Sequence, residues 1–271
     1  MLHPFNYTAP QTRTEFLGLL AEYGSRAKVL AGGTDLLVNI RGGLLKPDFV
    51  LDAKRVQGYS GIAWDPAEGL SFHPATTIND VLREKRVRED YPLLAACAHD
   101  LASYQIRNRA TVIGNVVNAS PCSDMAPALL CLGASASIAS AAGTRTVPFS
   151  AFFTGVKKTV LKSDEILERI IVPAASAGAR GEYRKLKRIN GHDLGIVGVA
   201  VAHVGKKLRI AVSSAAPTPV LVDSLPISAT ASEAVAATLA AVSPISDVRC
   251  TKEYRLFMIE TFVRRLMEEL K

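Results

Sequence analysis

The chain has 271 residues, 48% hydrophobic and 21% charged, with 19 glycines and 14 prolines. At roughly 150 residues per domain this favours two domains or one divided one, and the composition excludes disordered and collagenous chains. The formal net charge of +7 favours anionic ligands or an acidic partner surface, yet its basic residues are spread too widely for a nucleic-acid-binding tail.

Phe5–Tyr7 reads as a short strand, and Thr12 with Glu15 three residues on reads as the start of a helix carrying Phe16, Leu19, Leu20 and Tyr23. Gly24 ends it. Ala27–Ala31 is a strand running into Gly32-Gly33-Thr34-Asp35, Leu36–Ile40 a short helix, and Phe49–Asp52 a second strand that closes a small α/β lobe over residues 1–55. Pro4 and Glu15 interrupt any secretory signal over Met1–Gly18, which predicts a cytoplasmic location and free thiols.

The second lobe spans residues 56–173. It opens on a strand around Leu70–Phe72, then a helix Ile78–Val87 capped by Asn79 or Thr77, and a helix Tyr91–Ser103 opened by Pro92. Residues 106–127 read as a long irregular loop rich in Gly, Asn, Ser, Thr and Asp, and long loops in compact domains are usually functional. The uncharged stretch Met125–Thr144 contains Pro127, Gly133 and Gly143 and is mostly small residues, so no membrane span is expected. Strands follow at Ser135–Ala139, Arg145–Val147 and Glu165–Val172.

Residues 174–181 read as a linker, and residues 182–271 as a C-terminal domain. That domain has strands Tyr183–Arg188, Gly195–Val204 and Leu208–Ser213, then helices Ser232–Val242 and Lys252–Leu270, the last with an apolar ridge Tyr254, Met258, Phe262, Leu266, Leu270.

Several chemistries drop out. There is no G-x-G-x-x-G, no Walker A loop and no G-x-S-x-G elbow. The five histidines form no i, i+4 pair, and Cys97, Cys122, Cys131 and Cys250 include no C-x-x-C. Two loops remain. In Leu30-Ala31-Gly32-Gly33-Thr34-Asp35-Leu36 the glycines let backbone N–H groups approach an oxyanion beside a helix start, which suits a pyrophosphate; the same residues also serve as a plain turn. The run Arg107–Asp124 offers a hydroxyl, a glycine, an amide and a carboxylate able to hold phosphate and ribose, or to pack on itself as a polar Ω-loop.

The pair A-G-G-T-D-L and R-N-x-A-T-x-x-G-N-x-x-N-A-S-P-x-x-D, in this order, resembles the FAD-binding medium subunit of the molybdenum hydroxylases, the xanthine dehydrogenase and carbon monoxide dehydrogenase family. Phe152–Gly155, Glu165–Leu167, Tyr183–Arg188 with Asp193, and the tail Asp247-Val248-Arg249 with Tyr254-Arg255 extend the likeness over nearly the whole chain.

The resemblance implies an α+β fold: a two-lobed FAD-binding domain of the vanillyl-alcohol-oxidase type plus the C-terminal domain of the carbon monoxide dehydrogenase flavoproteins. It implies a cofactor set of Leu30, Ala31, Gly32, Gly33, Thr34, Asp35, Leu36, Leu101, Thr111, Gly114, Asn115, Ser120, Asp124, Leu167 and Lys185, with no catalytic residue or metal ligand of the chain's own. Ala31 to Asp35 would line the pyrophosphate loop, Thr111, Gly114 and Asn115 would close it, Asp124 would bind the ribitol or ribose, Leu167 would pack near flavin or adenine, and Lys185 would reach the isoalloxazine. A cation there stabilises negative charge gained on reduction.

Two positions depart from the family pattern. Ile113 stands where a glycine is usual, and is expected to crowd the site if that glycine serves close approach; His73-Pro74-Ala75 replaces Ile-Gly-Ala. As function, the resemblance implies an electron-transfer flavoprotein subunit. Its partners would be a large molybdenum-cofactor subunit and a small [2Fe–2S] subunit, in a dimer of heterotrimers, and its acceptor NAD⁺, a quinone or O₂. The alternatives are a free-standing FAD oxidoreductase of the same superfamily and a basic interaction protein without flavin.

Overall fold

The computed structural model describes residues 3–189 and 191–271. The first lobe is a three-stranded parallel sheet. Strand β1 (Asn6–Thr8) and β2 (Ala27–Leu30) flank β3 (Phe49–Asp52), with α1 (Arg13–Tyr23) between β1 and β2 and α2 (Leu36–Arg41) between β2 and β3. Thr12 caps α1 by accepting the Glu15 amide at 3.2 Å, while the Glu15 carboxylate reaches back to the Gln11 amide at 3.0 Å. Phe16, Leu17 and Leu20 of α1 bury against Leu51 and also against Ala139 and Ile166 of the second lobe.

The second lobe carries β4 (Ile62–Asp65) and β5 (Gly69–Phe72), then six helices: α3 (Ile78–Arg83), α4 (Lys85–Asp90), α5 (Pro92–Asp100), α6 (Tyr104–Arg107), α7 (Val112–Val117) and α8 (Ala126–Cys131). Strands β6 (Ser135–Ser140), β7 (Gly143–Pro148), the β8 (Phe153–Gly155) and β9 (Lys158–Thr159) ribbon, and β10 (Ile166–Pro173) follow. The main sheet is antiparallel in the order β4-β5-β10-β6-β7.

Two expectations change here. The helix expected over Ile78–Val87 breaks at Glu84, whose extended backbone ends α3 while its side chain accepts the Arg86 amide and starts α4. Thr77, not Asn79, is the α3 cap, in a reciprocal box with Asp80. The segment expected to be irregular, residues 106–127, holds the end of α6, all of α7 and the start of α8, because Ser103 and Thr111 cap short turns and the Thr77–Thr111 bridge pins α7.

The C-terminal domain is an antiparallel sheet β11 (Arg180–Leu186), β12 (Val197–Val204), β13 (Lys207–Ser213) and β14 (Val220–Pro226), covered on one face by α9 (Ala231–Ala241) and α10 (Lys252–Glu269). The fourth strand is additional to the three expected. Along β12 the alternation Val197-Gly198-Val199-Ala200-Val201-Ala202 sorts the residues onto two faces. Its valines join the core with Ile259, Phe262, Val263 and Leu266 of α10, and Ala200 and Ala202 join the second lobe's core beside α8. Small residues on that face let the lobe pack close to the sheet. The α10 ridge also turns: Arg255 and Ile259 are buried while Tyr254 is exposed.

Residues 174–181 do not swing freely. The Ser176 hydroxyl donates to the Leu132 carbonyl at 2.7 Å, the Gly178 amide donates to the Asp90 carbonyl at 2.7 Å, and β11 already begins at Arg180.

Candidate functional site

The two glycine-bearing loops meet. Gly32, following β2, lies against the backbone of the turn before α7: a methyl group on it would sit 2.1 Å from the Arg109 carbonyl oxygen and 3.0 Å from the Ala110 Cα. Only glycine fits there. A methyl on Gly114 would sit 2.8 Å from the Thr111 hydroxyl oxygen and 4.0 Å from the Ala31 Cβ. Gly33 takes a φ of +79°, which turns the chain from β2 toward α2.

Among the described residues, no backbone carbonyl accepts the amides of Gly32, Gly33, Thr34 or Asp35, and Asp35 makes no side-chain cap for α2. In this partly exposed turn solvent can satisfy these donors, and consecutive free amides are also able to meet an anion. Helix α2 has six residues, so these amides rather than its dipole would supply the attraction. The first loop thus leaves these backbone donors free at the turn.

The second loop offers less backbone than its glycine implies. The Gly114 amide donates to the Thr111 hydroxyl oxygen at 2.9 Å, which makes Thr111 the α7 cap. The Asn115 side-chain oxygen accepts from the Ser123 hydroxyl at 2.7 Å and the Met125 amide at 3.2 Å, so Asn115 ties α7 to the segment carrying Asp124. What remains for a ligand is the Thr111 hydroxyl proton and the Asn115 amide group. Ile113 does not crowd this turn. It sits within α7 and is buried in the second lobe's core, among side chains rather than at the cleft.

Asn79 is a residue the sequence offered only as a possible cap. Buried, it donates to the Tyr104 carbonyl at 3.1 Å and the Asn108 side-chain oxygen at 2.7 Å, and so holds the turn that Gly32 packs on.

A second cluster lies where the C-terminal sheet meets the second lobe. The Lys185 ammonium on β11 is 2.7 Å from the Asp124 carboxylate and 3.3 Å from the Asp100 carbonyl, the residue before Leu101. Burial pushes the Asp124 carboxyl above the usual carboxylate range, and Lys185 only partly offsets it. Leu101 is itself buried beside that carbonyl. Ser120 starts the turn before Asp124, its hydroxyl oxygen accepting the Cys122 amide at 3.2 Å.

Leu167 reaches the site from the core side. It is buried in β10 in the same core as Ile113 and Val116. Leu30 is buried in the first lobe's small core and Leu36 packs on it, so both support the first loop from below.

Two lobes whose glycine turns meet, with a C-terminal domain bringing a lysine to their seam, define a two-domain FAD-binding flavoprotein fold, as the comparisons with known proteins show. Residues 3–175 match the family described as the FAD-binding domain in molybdopterin dehydrogenase, and residues 181–270 match the carbon monoxide dehydrogenase flavoprotein C-terminal domain. The chain is 30% identical to the carbon monoxide dehydrogenase medium chain of Hydrogenophaga pseudoflava, over 97% of this chain and 96% of that one. It is also 30% identical to the xanthine dehydrogenase FAD-binding subunit of Escherichia coli O157:H7, over 97% and 95% respectively. Among solved structures, reconstituted CO dehydrogenase from Oligotropha carboxidovorans superposes with a TM-score of 0.92 at 26% identity, covering 100% of this chain and 98% of that one. The enzyme from Hydrogenophaga pseudoflava superposes with a TM-score of 0.91 at 31% identity, with the same coverage. The chain belongs to the FAD-binding flavoprotein subunits of the molybdenum hydroxylases, and is an oxidoreductase subunit whose cofactor is FAD.

Proposed function

We propose that this chain is the electron-transfer subunit of a molybdenum hydroxylase complex. Substrate would be oxidised at a molybdenum cofactor on a large partner subunit, and electrons would cross [2Fe–2S] clusters on a small partner subunit. This chain would pass them to NAD⁺, a quinone or O₂. The complex would be a cytoplasmic dimer of heterotrimers. Bound FAD supplies the capacity to take up electrons and hand them on.

The observation that carries this reading is the close approach of Gly32 to Arg109 and Ala110, which sets unpartnered amides of one lobe beside the Thr111–Asn115 turn of the other. In this reading residues 1–55 and 56–173 are the two FAD lobes and 182–271 the flavin-ring domain. Gly32 to Asp35 bind the diphosphate. Thr111 and Asn115 close over it. Asp124 and Lys185 form the polar floor toward the ring, where the lysine's charge favours the reduced state.

The test is purification from the native host. The chain is expected to co-purify with two others, together with iron and molybdenum. Expressed alone with FAD, it is expected to be yellow and reducible by dithionite, yet unable to turn over purines or aldehydes. Turnover by the isolated chain would contradict the proposal.

A further inference from the structure

The tail between α9 and α10 reaches back to the seam that holds Lys185. Arg249 sends one guanidinium nitrogen, Nη1, to two elements at once: the Cys122 Sγ at 3.2 Å and the Gly195 carbonyl oxygen at 3.1 Å. Cys122 stands two residues before Asp124. Gly195 lies against Lys185, since a methyl on it would sit 3.3 Å from the Lys185 Cε and 3.4 Å from the Ser214 Oγ. One side chain thus joins the segment carrying Asp124 to the glycine that bounds Lys185.

Arg249 is itself held. The Asp247 carboxylate accepts from its Nη2 at 2.7 Å and its Nε at 3.0 Å, and also from Arg255 at 2.8 Å. Arg255 is buried on α10 and donates to the carbonyls of Ile196, Ser214 and Ile245, the last two at 3.1 Å each. The Ser214 amide in turn donates to the Pro121 carbonyl at 2.7 Å, from a left-handed backbone with φ of +63°. A non-glycine residue held in that conformation carries strain that its surroundings must offset. The Ser214 Oγ, beside Gly195, is buried with no hydrogen-bond partner among the described residues.

Simple packing does not require this arrangement. Two donors on one edge of the guanidinium, Nε and Nη2, converge on a single oxygen, Asp247 Oδ2, while Oδ1 is held by the Arg249 amide and by Arg255; so anchored, the guanidinium turns Nη1 to bridge the two sides of the Lys185–Asp124 pair. We propose that Arg249 is a positioning residue: it sets the separation and direction of Lys185 relative to Asp124, and through them the reduction potential of the bound flavin. This rests on the reading that Lys185 lies at the flavin ring.

The test uses the full-length chain loaded with FAD, comparing wild type, Arg249→Lys, Cys122→Ala, Lys185→Met and the Arg249→Lys/Lys185→Met double variant. The readouts are the flavin midpoint potential, the visible spectrum and the FAD dissociation constant. Lysine keeps the charge, but its single ammonium cannot reach Cys122 and Gly195 while also holding Asp247. Arg249→Lys is expected to lower the potential and shift the flavin bands, with a smaller change in the FAD dissociation constant, because the bonds lost lie within the chain. Cys122→Ala, which removes one end of the bridge only, is expected to shift the potential the same way by less. In the Lys185→Met background, Arg249→Lys is expected to shift the potential no further. An unmoved potential in Arg249→Lys, or an equal shift in the Lys185→Met background, overturns the positioning role while leaving the flavin reading intact. A wild-type chain that binds no FAD overturns both.

Discussion

The Lys185 ammonium and the Asp124 carboxylate face each other at 2.7 Å in a seam that leaves their side chains only 2% and 12% exposed. A buried pair of this kind adds little net stability, because desolvation consumes most of the attraction, but losing one partner strands a charge. Lys185→Met is therefore expected to cost about 3–5 kcal/mol, and Lys185→Met with Asp124→Asn less than the sum of the two single changes. Burial already raises the Asp124 pKa against the pull of Lys185. Without the lysine it rises further, so the carboxyl is neutral over more of the acid range. The Lys185→Met penalty is expected to shrink as pH falls and grow as pH rises. Urea denaturation of all four proteins at several pH values measures both effects.

Gly32→Ala places a methyl 2.1 Å from a carbonyl oxygen of the other lobe. Backbone must move, at a cost of about 1–3 kcal/mol in stability, and the two loops separate, so FAD binding is expected to be lost in a flavin-fluorescence titration. Gly18 makes the paired control. It is exposed within α1 and nothing lies within 4 Å of where its methyl would be. Gly18→Ala is expected to raise stability by about 0.5–1 kcal/mol with FAD affinity unchanged.

His73, where the family pattern has isoleucine, is half-buried. Burial first, and the Arg169 charge second, hold its pKa below the ordinary 6.5. The unfolded chain thus binds a proton at acid pH that the folded chain resists. That contribution to stability is complete above 6.5 and is lost as pH falls toward the folded value. The melting midpoint is expected to drop as pH falls below the ordinary histidine value, and His73→Gln to flatten the curve, with His203, shifted the same way, leaving a residual slope.

Glu168 on β10 clasps the lobes together: Arg13 of α1 donates to it at 2.6 and 3.1 Å, and the buried Tyr59 hydroxyl at 2.9 Å. Arg13 is half exposed, so its share is small; the cost of Glu168→Ala comes from the orphaned Tyr59 hydroxyl and is expected to be about 1–3 kcal/mol by thermal melting. Tyr59→Phe in the Glu168→Ala background is expected to recover part of it.

Local signals in the sequence were enough to locate much of the fold. Thr12 with Glu15 marked the start of α1, and the last two helices, expected over Ser232–Val242 and Lys252–Leu270, fall within one residue of those bounds at each end. The glycines of the first loop were legible as a turn between strand and helix; that Gly32 is where the lobes approach closely appears only in the assembled fold. What escaped depends on partners distant in sequence. Helix α7 looked like loop because its stability comes from the Thr77–Thr111 bridge and an internal cap rather than from helix-favouring residues. Strand β14 follows Pro217 and Pro219, which read as loop, and is recruited by pairing with β13. The buried Arg255 interrupts the apolar pattern of α10, and its satisfaction by three carbonyls appears only once the sheet is assembled. The Lys185–Asp124 and Arg249–Cys122 contacts likewise join residues that no spacing rule connects.

The most direct test is a crystal structure of the full chain with FAD, measuring the distances from the diphosphate oxygens to the two loops. The expected result is phosphate oxygens within about 3.2 Å of backbone nitrogens among Gly32 to Asp35, with the Thr111 hydroxyl or Asn115 side-chain nitrogen on their far side. A diphosphate held elsewhere, or touching one lobe alone, would contradict the account.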